Sequence, residues 1–144
     1  MVAEEEHFSR WLYNPRFIND AGEVNERFIT LRSHLNEKGI SGQLFDRLTL
    51  SEVIETGKKF VRSKRDGTQT ETLSHIAKAK ILNIKSIALQ NDNINVLEVH
   101  SDIVPQHAEI RFCLNNDSTM SARQYYYFEK IKDEMLKGLI PIQY

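Results

Sequence analysis

His100, Asp102, His107 and Glu109 are the side chains of this chain best equipped to do chemistry together. They fall within Val96–Leu114, VLEVHSDIVPQHAEIRFCL, which holds two of the five histidines, one of the three prolines and the single cysteine. Imidazoles and carboxylates ligate zinc and other transition metals, and they are the usual general acids and bases. His107 and Glu109 are two residues apart, as are His100 and Asp102, so each pair shares one face of a strand. A hairpin corner at Pro105 would bring the two pairs together. His107 would then be base or metal ligand, with Glu109, His100 and Asp102 in support and Arg10 or Arg111 binding phosphate. The chemistry expected of that arrangement is a small metal-dependent or acid–base hydrolase acting on a nucleotide or nucleic acid, the metal unspecified. The same residues admit another reading. His107 bonds the corner backbone, while Glu109 and Arg111 alternate on a solvent face as a pair worth about 0–1 kcal/mol.

The remaining parts of a reaction centre are missing from the sequence. His107-Ala108-Glu109 matches the first half of the zinc nucleobase-deaminase signature, but no Pro-Cys-x-x-Cys follows, because Cys113 is the last and only cysteine. A lone cysteine also excludes an intrachain disulfide and a zinc site of several thiolates. There is no Walker loop, dinucleotide glycine pattern, Gly-x-Ser-x-Gly or His-Glu-x-x-His. Ser41, between Ile40 and Gly42, has no local base. The leading expectation is therefore a non-enzymatic binding or accessory protein without a cofactor, acting through a protein partner or a second copy of itself.

Three surfaces could serve such a partner. Lys58–Arg65, KKFVRSKR, carries five cations, Lys58, Lys59, Arg62, Lys64 and Arg65, in eight residues. It reads as a solvated helix end, or as a patch for nucleic acid or an acidic partner. Tyr125-Tyr126-Tyr127-Phe128 puts aromatics on more than one helix face, so Tyr125 or Tyr126 is available to an interface. His7 and Arg10 lie three apart, and Arg111 is the cation nearest the reactive stretch. A formal net charge of −1 makes no global demand for a polyanion or an anionic membrane. No apolar run approaches the ~20 residues that span a bilayer, and the acidic MVAEEEHFSRW lacks the apolar core of a signal peptide. These features lead us to expect a cytoplasmic protein with no membrane association.

The elements that must position these residues follow from periodicity. With 144 residues, 40% apolar and 27% charged, the chain has the length and composition of one folded domain. Thr49–Val61 opens on a capping box, Thr49-Leu50-Ser51-Glu52, and reads as a helix in which Gly57 marks close packing or an early end. Ser121–Lys137 is a second helix, with Tyr127/Phe128, Ile131 and Met135 as its inner stripe, halted by Gly138 and Pro141. Phe8, Trp11 and Leu12 are spaced for a helical turn that Asn14-Pro15 ends. Thr70–Ile84 leans to helix, though a strand followed by a short helix also fits. Asn36–Gly42 reads as loop, and Asp20-Ala21-Gly22 and Asp66-Gly67-Thr68 as turns. Strands are expected at Arg27–Leu31, Lys85–Gln90, Ile94–His100 and Ala108–Leu114, with a hairpin turn at Asn91-Asp92-Asn93. The predicted architecture is a single α+β domain with a small, mainly antiparallel sheet covered by two or three helices.

His7-x-x-Arg10, the turn Asp20-Ala21-Gly22-Glu23-Val24, the Gly39-Ile40-Ser41 loop and Pro105-Gln106-His107-Ala108-Glu109-Ile110 together resemble a pattern in small bacterial proteins of uncharacterised function. These share an early aromatic and basic stretch, a middle leucine-serine-valine-like loop and a late histidine-alanine-x-isoleucine strand. The resemblance spans about the first two-thirds of the chain and the His107 strand. Ile40-Ser41-Gly42 departs from it after the serine, and the tyrosine-rich helix has no counterpart. It implies no reaction. It implies that His7, Arg10, Ser41 and His107 belong together, in a bacterial cytoplasmic setting.

Overall fold

A computed structural model describes residues 2–29, 39–114 and 120–143, the side chains of 120–122 excepted. Six strands form one sheet: β1 (His7–Asn14), β2 (Ile40–Leu44), β3 (Thr72–Lys80), β4 (Asn93–Glu98), β5 (His107–Cys113) and β6 (Ile140–Pro141). Their spatial order is β4-β5-β2-β1-β3-β6, and every neighbouring pair is antiparallel. The helices are α1 (Leu50–Lys58), α2 (Ile81–Lys85) and α3 (Met120–Leu136). The α+β class expected from the sequence is the one observed.

α1 starts where the capping box places it. The Glu52 amide donates to Thr49 Oγ1 at 3.1 Å, and the Thr49 amide donates to Glu52 Oε1 at 2.9 Å, so two orphan donors of the first turn are satisfied. The helix ends at Lys58 rather than Val61. Leu50 is exposed, and Val53, Thr56 and Gly57 are the buried residues of the helix. α3 buries Tyr127, Ile131 and Met135 completely, and Tyr127 stacks on Phe112 of β5 at 5.8 Å. Gly22 and Gly67 hold φ of +83° and +88° in the two expected turns, a region only glycine enters freely.

Several expectations are corrected. Phe8, Trp11 and Leu12 lie on β1, not on a helical turn. β1 sits between β2 and β3 and buries side chains on both faces, which erases the period-two signal. Thr70–Ile84 is strand β3 followed by the short α2, not one helix. Arg27–Leu31 is not a strand where it is described: Glu26–Ile29 is a 3-10 helix, and residues 30 and 31 lie outside the described residues. Lys85–Gln90 is not a strand either, because Lys85 closes α2 and turns follow. Asn91-Asp92-Asn93 therefore joins a helix to β4 rather than closing a hairpin. Ile40–Gly42, expected as loop, is the body of β2; the earlier part of that loop lies outside the described residues. The strands expected at Ile94–His100 and Ala108–Leu114 are β4 and β5, each offset by one or two residues.

Candidate functional site

The site arises where two neighbouring strands part. β1 pairs with β3 along its whole length, from His7↔Lys80 to Asn14↔Thr72. It pairs with β2 only at Phe8↔Leu44 and Ser9↔Gln43. β2 continues beside β5 from Gln43↔His107 to Ile40↔Ile110. From Arg10 onward β1 thus leaves β2, and a cleft of about 420 Å³ opens between them. Gly42 sits at the pivot. A Cβ there would lie 2.2 Å from the Ser9 carbonyl oxygen and 2.4 Å from Phe8 Cζ, so only a residue without a side chain lets β1 cross this closely.

Four basic side chains line the cleft: Arg10, Arg16, Arg27 and His107. Arg10 spans the gap, its Nη1 donating to the Ser41 carbonyl, with its guanidinium carbon 5.6 Å from the centre of the Phe28 ring. Arg16 is clamped. Its Nε donates to Glu71 Oε2 at 3.1 Å and its Nη2 to Glu71 Oε1 and to the Phe60 carbonyl. It also lies over the rings of Tyr13 and Phe17 at 4.5 and 5.1 Å. Burial pushes the Glu71 carboxyl up. Hydrogen bonds from Arg16 and the Arg62 amide, with the charges of both arginines, outweigh this and hold it below the ordinary carboxylate range. Arg27 is exposed on the 3-10 helix, and among the described residues its guanidinium meets no carboxylate. His107 donates from Nδ1 to the Val99 carbonyl at 3.1 Å; in the neutral ring that bond leaves the lone pair on Nε2.

The walls are aromatic: Trp11, Tyr13, Phe17 and Phe60. Trp11 Nε1 donates to the Val53 carbonyl at 2.9 Å, and Tyr13 Oη to the Gly57 carbonyl at 2.6 Å, so both rings are pinned to α1. Burial raises the Tyr13 phenol well above its ordinary value, which keeps it a donor. Trp11 stacks on Phe60 at 5.6 Å and 28°. None of the described lining residues is acidic.

The late β-corner exists, but it does not assemble its four reactive side chains. His100 and Asp102 pair at 2.9 Å with their side chains 85% and 92% exposed. Glu109 pairs with Arg111 at 2.9 Å on the strand surface. Of the four, His107 alone lines the cleft, and the convergence that a hydrolase built on them requires is absent. Among the described residues no three His, Cys, Asp or Glu side chains form a group able to hold a metal ion. Arg10, Ser41 and His107, which the resemblance ties together, do meet at the cleft; Ser41 contributes its carbonyl. His7 does not join them. Its amide and Nδ1 both bond Asp46, at 2.7 and 3.0 Å. Tyr125 and Tyr126 are exposed on α3, away from the cleft lining. In the basic block only Lys58 is helical, and Phe60 is 38% exposed.

Arg16, Arg27 and the aromatic walls were not singled out from the sequence. Their signal is the interleaving of cations and aromatics in Arg10-Trp11-Leu12-Tyr13-Asn14-Pro15-Arg16-Phe17, a composition that suits anionic ligands with planar parts. Comparisons with protein-family models, curated proteins and solved structures find no match. Among the described residues no helix is long and apolar enough to cross a membrane.

Proposed function

We propose that this protein is a non-enzymatic binding protein acting through a macromolecular partner, and that the β1–β2 cleft receives an anionic group of that partner. One observation carries the reading: three guanidiniums and an imidazole line the cleft, and no described lining residue is acidic, in a chain whose formal net charge is −1. A cleft of one sign with apolar walls focuses its field and attracts counter-charged ligands. Guanidiniums add a planar fork matched to carboxylate or phosphate. Arg27 supplies that fork, since Arg16 is held by Glu71.

A second reading, a small hydrolase acting on a nucleotide, draws support from the His107 lone pair at the cleft, where a general base would stand. Of the side chains meant to assist it, His100 shares a depression with His107 outside the cleft, but Asp102 and Glu109 do not line it, so binding is the preferred reading.

Trp11 is the only tryptophan and lines the cleft, which makes its emission the assay. Titration with inorganic tripolyphosphate at low ionic strength should give a saturable change. Arg27→Ala should weaken it at least about fivefold while leaving the urea midpoint unchanged, since one charged hydrogen bond is worth about 1.5–3 kcal/mol. A wild-type protein with no saturable response refutes the proposal. Release of phosphate from a nucleotide that disappears in His107→Ala would favour the hydrolase.

A further inference from the structure

We infer that the anionic partner is a single-stranded nucleic acid, an inference that rests on the anion-binding reading of the cleft. Three observations lead there. First, the cationic surface is a track. The cleft shares Arg16 and Arg27 with an adjoining depression lined also by Arg62, Thr70, Glu26 and Glu71, the last of which answers Arg16. Guanidiniums therefore run from Arg10 past Arg27 to Arg62, which suits a chain of phosphates better than one anion. Second, Phe60 closes the Trp11 stack with 38% of its surface exposed, a π-face on which an unpaired base can continue the stack. Third, Phe60 stands inside the basic block. Lys58, Lys59, Arg62, Lys64 and Arg65 are all exposed around it, from the end of α1 to the turn closed by the Ser63↔Gln69 bridge.

Aromatics alternating with cations along one track form the stacking platform and electrostatic funnel of single-strand recognition. A duplex keeps its bases paired and cannot offer them to Phe60. About 420 Å³ is near the lower end of ligand-pocket volumes, room for one nucleotide unit at a time. An acidic peptide would satisfy the arginines but leave the aromatic stack unused.

The test is anisotropy of fluorescein-labelled dT12 and rU12 with the full chain, beside Trp11 emission titrated with dTMP, tripolyphosphate and a poly-glutamate peptide. Either oligonucleotide should bind at least about tenfold tighter than dTMP. Its log K should fall with log salt at a slope of about −2, as roughly three phosphate contacts on a single strand require. Phe60→Ala should weaken the oligonucleotide by about fivefold or more and tripolyphosphate much less. Lys64→Ala/Arg65→Ala, exposed positions that leave the fold intact, should flatten the salt slope by about one unit. A dT12/rU12 difference tells DNA from RNA within the proposal. If tripolyphosphate saturates the cleft but neither oligonucleotide binds tighter than dTMP, or poly-glutamate binds tighter than both, the nucleic-acid inference is overturned and the anion cleft stands. If no anion saturates the cleft, both fall. Should Phe60→Ala unfold, the salt slope of the double variant decides.

Discussion

Gly57→Ala separates two opposed effects whose sizes can be worked out in advance. A glycine inside a helix ordinarily costs about 1 kcal/mol against alanine, so the substitution should stabilise α1 by that amount wherever the new methyl meets open space. At Gly57 it does not. The added Cβ would lie 2.4 Å from Trp11 Cδ1, 2.7 Å from Trp11 Nε1 and 2.9 Å from Leu73 Cδ2. The indole has nowhere to retreat, because its Nε1 donates to the Val53 carbonyl of the same helix and its ring is stacked on Phe60. Overpacking of this kind costs about 1–3 kcal/mol, and a broken indole hydrogen bond adds about 1 kcal/mol. Against the gain in helix propensity, the net is a loss of about 2 kcal/mol, which for a chain of this length lowers Tm by roughly 7 °C.

The assay is urea denaturation read by far-UV circular dichroism and by Trp11 emission, which reports this contact directly because the chain has no other tryptophan. The variant should melt earlier, and its folded-state emission should move to the red as the indole tilts toward solvent. Glu55→Ala, on the exposed side of the same helix, is the control and should be close to neutral. A Gly57→Ala protein as stable as wild type or more so, with unchanged emission, would refute the claim that α1 and β1 meet through this glycine, and with it the account of how Trp11 is held in the cleft wall.

Two further substitutions probe the frame of the site. Glu71→Gln should cost about 2–3 kcal/mol near neutral pH, since the Glu71 side chain is 4% exposed and breaking a buried pair is expensive. The folded-state pKa of Glu71 lies below its unfolded value, so the stabilisation is complete above the unfolded pKa and is lost as pH falls through the folded one. The gap in urea midpoint between wild type and Glu71→Gln should therefore close below about pH 4; a gap independent of pH contradicts the pairing. Gly42→Ala should cost about 3 kcal/mol or abolish folding, because its methyl would meet backbone and a pinned ring that cannot move aside. An unperturbed urea melt for that variant would mean β1 and β2 do not cross there.

What the sequence disclosed of this fold depended on how many neighbours each element has. α1 announced itself through Thr49 and Glu52, which cap it locally. β5 has a polar and an apolar face, so Ala108, Ile110 and Phe112 alternate visibly with Glu109 and Arg111. β3 reads as helix because Ala77, Lys78, Ala79 and Lys80 favour one; pairing with β1 on one side and β6 on the other overrides that preference. The reactive quartet failed for a reason of register. Glu98 pairs with Ala108, so β4 ends before His100 and Asp102. Those two fall in the connection, where no ladder aligns them with His107. The cleft had only the arginine–aromatic run at 10–17 to reveal it. That Ser41 and His107 would join that run depends on β2 lying between β1 and β5, a long-range pairing no local pattern carries.

The arginines of the cleft divide their labour, and the division explains how a near-neutral chain keeps a positive site. The acidic N-terminal run is engaged within the fold: Glu4 pairs with Lys85 and Glu6 with Arg47. Arg47 also reaches Glu98 on the edge strand β4, so these carboxylates are spent away from the cleft. Inside it, Arg16 has its charge answered by Glu71 and its faces covered by Tyr13 and Phe17; it holds β1 to the start of β3. Arg10 bridges two strands that have parted. Arg27, exposed and unmatched by any described carboxylate, adds a charge the fold does not need. Removing Arg16 should therefore loosen the protein, whereas removing Arg27 should leave its stability alone and weaken what it binds. That separation of a structural cation from an exposed one is what the proposed anion-binding role of the cleft requires.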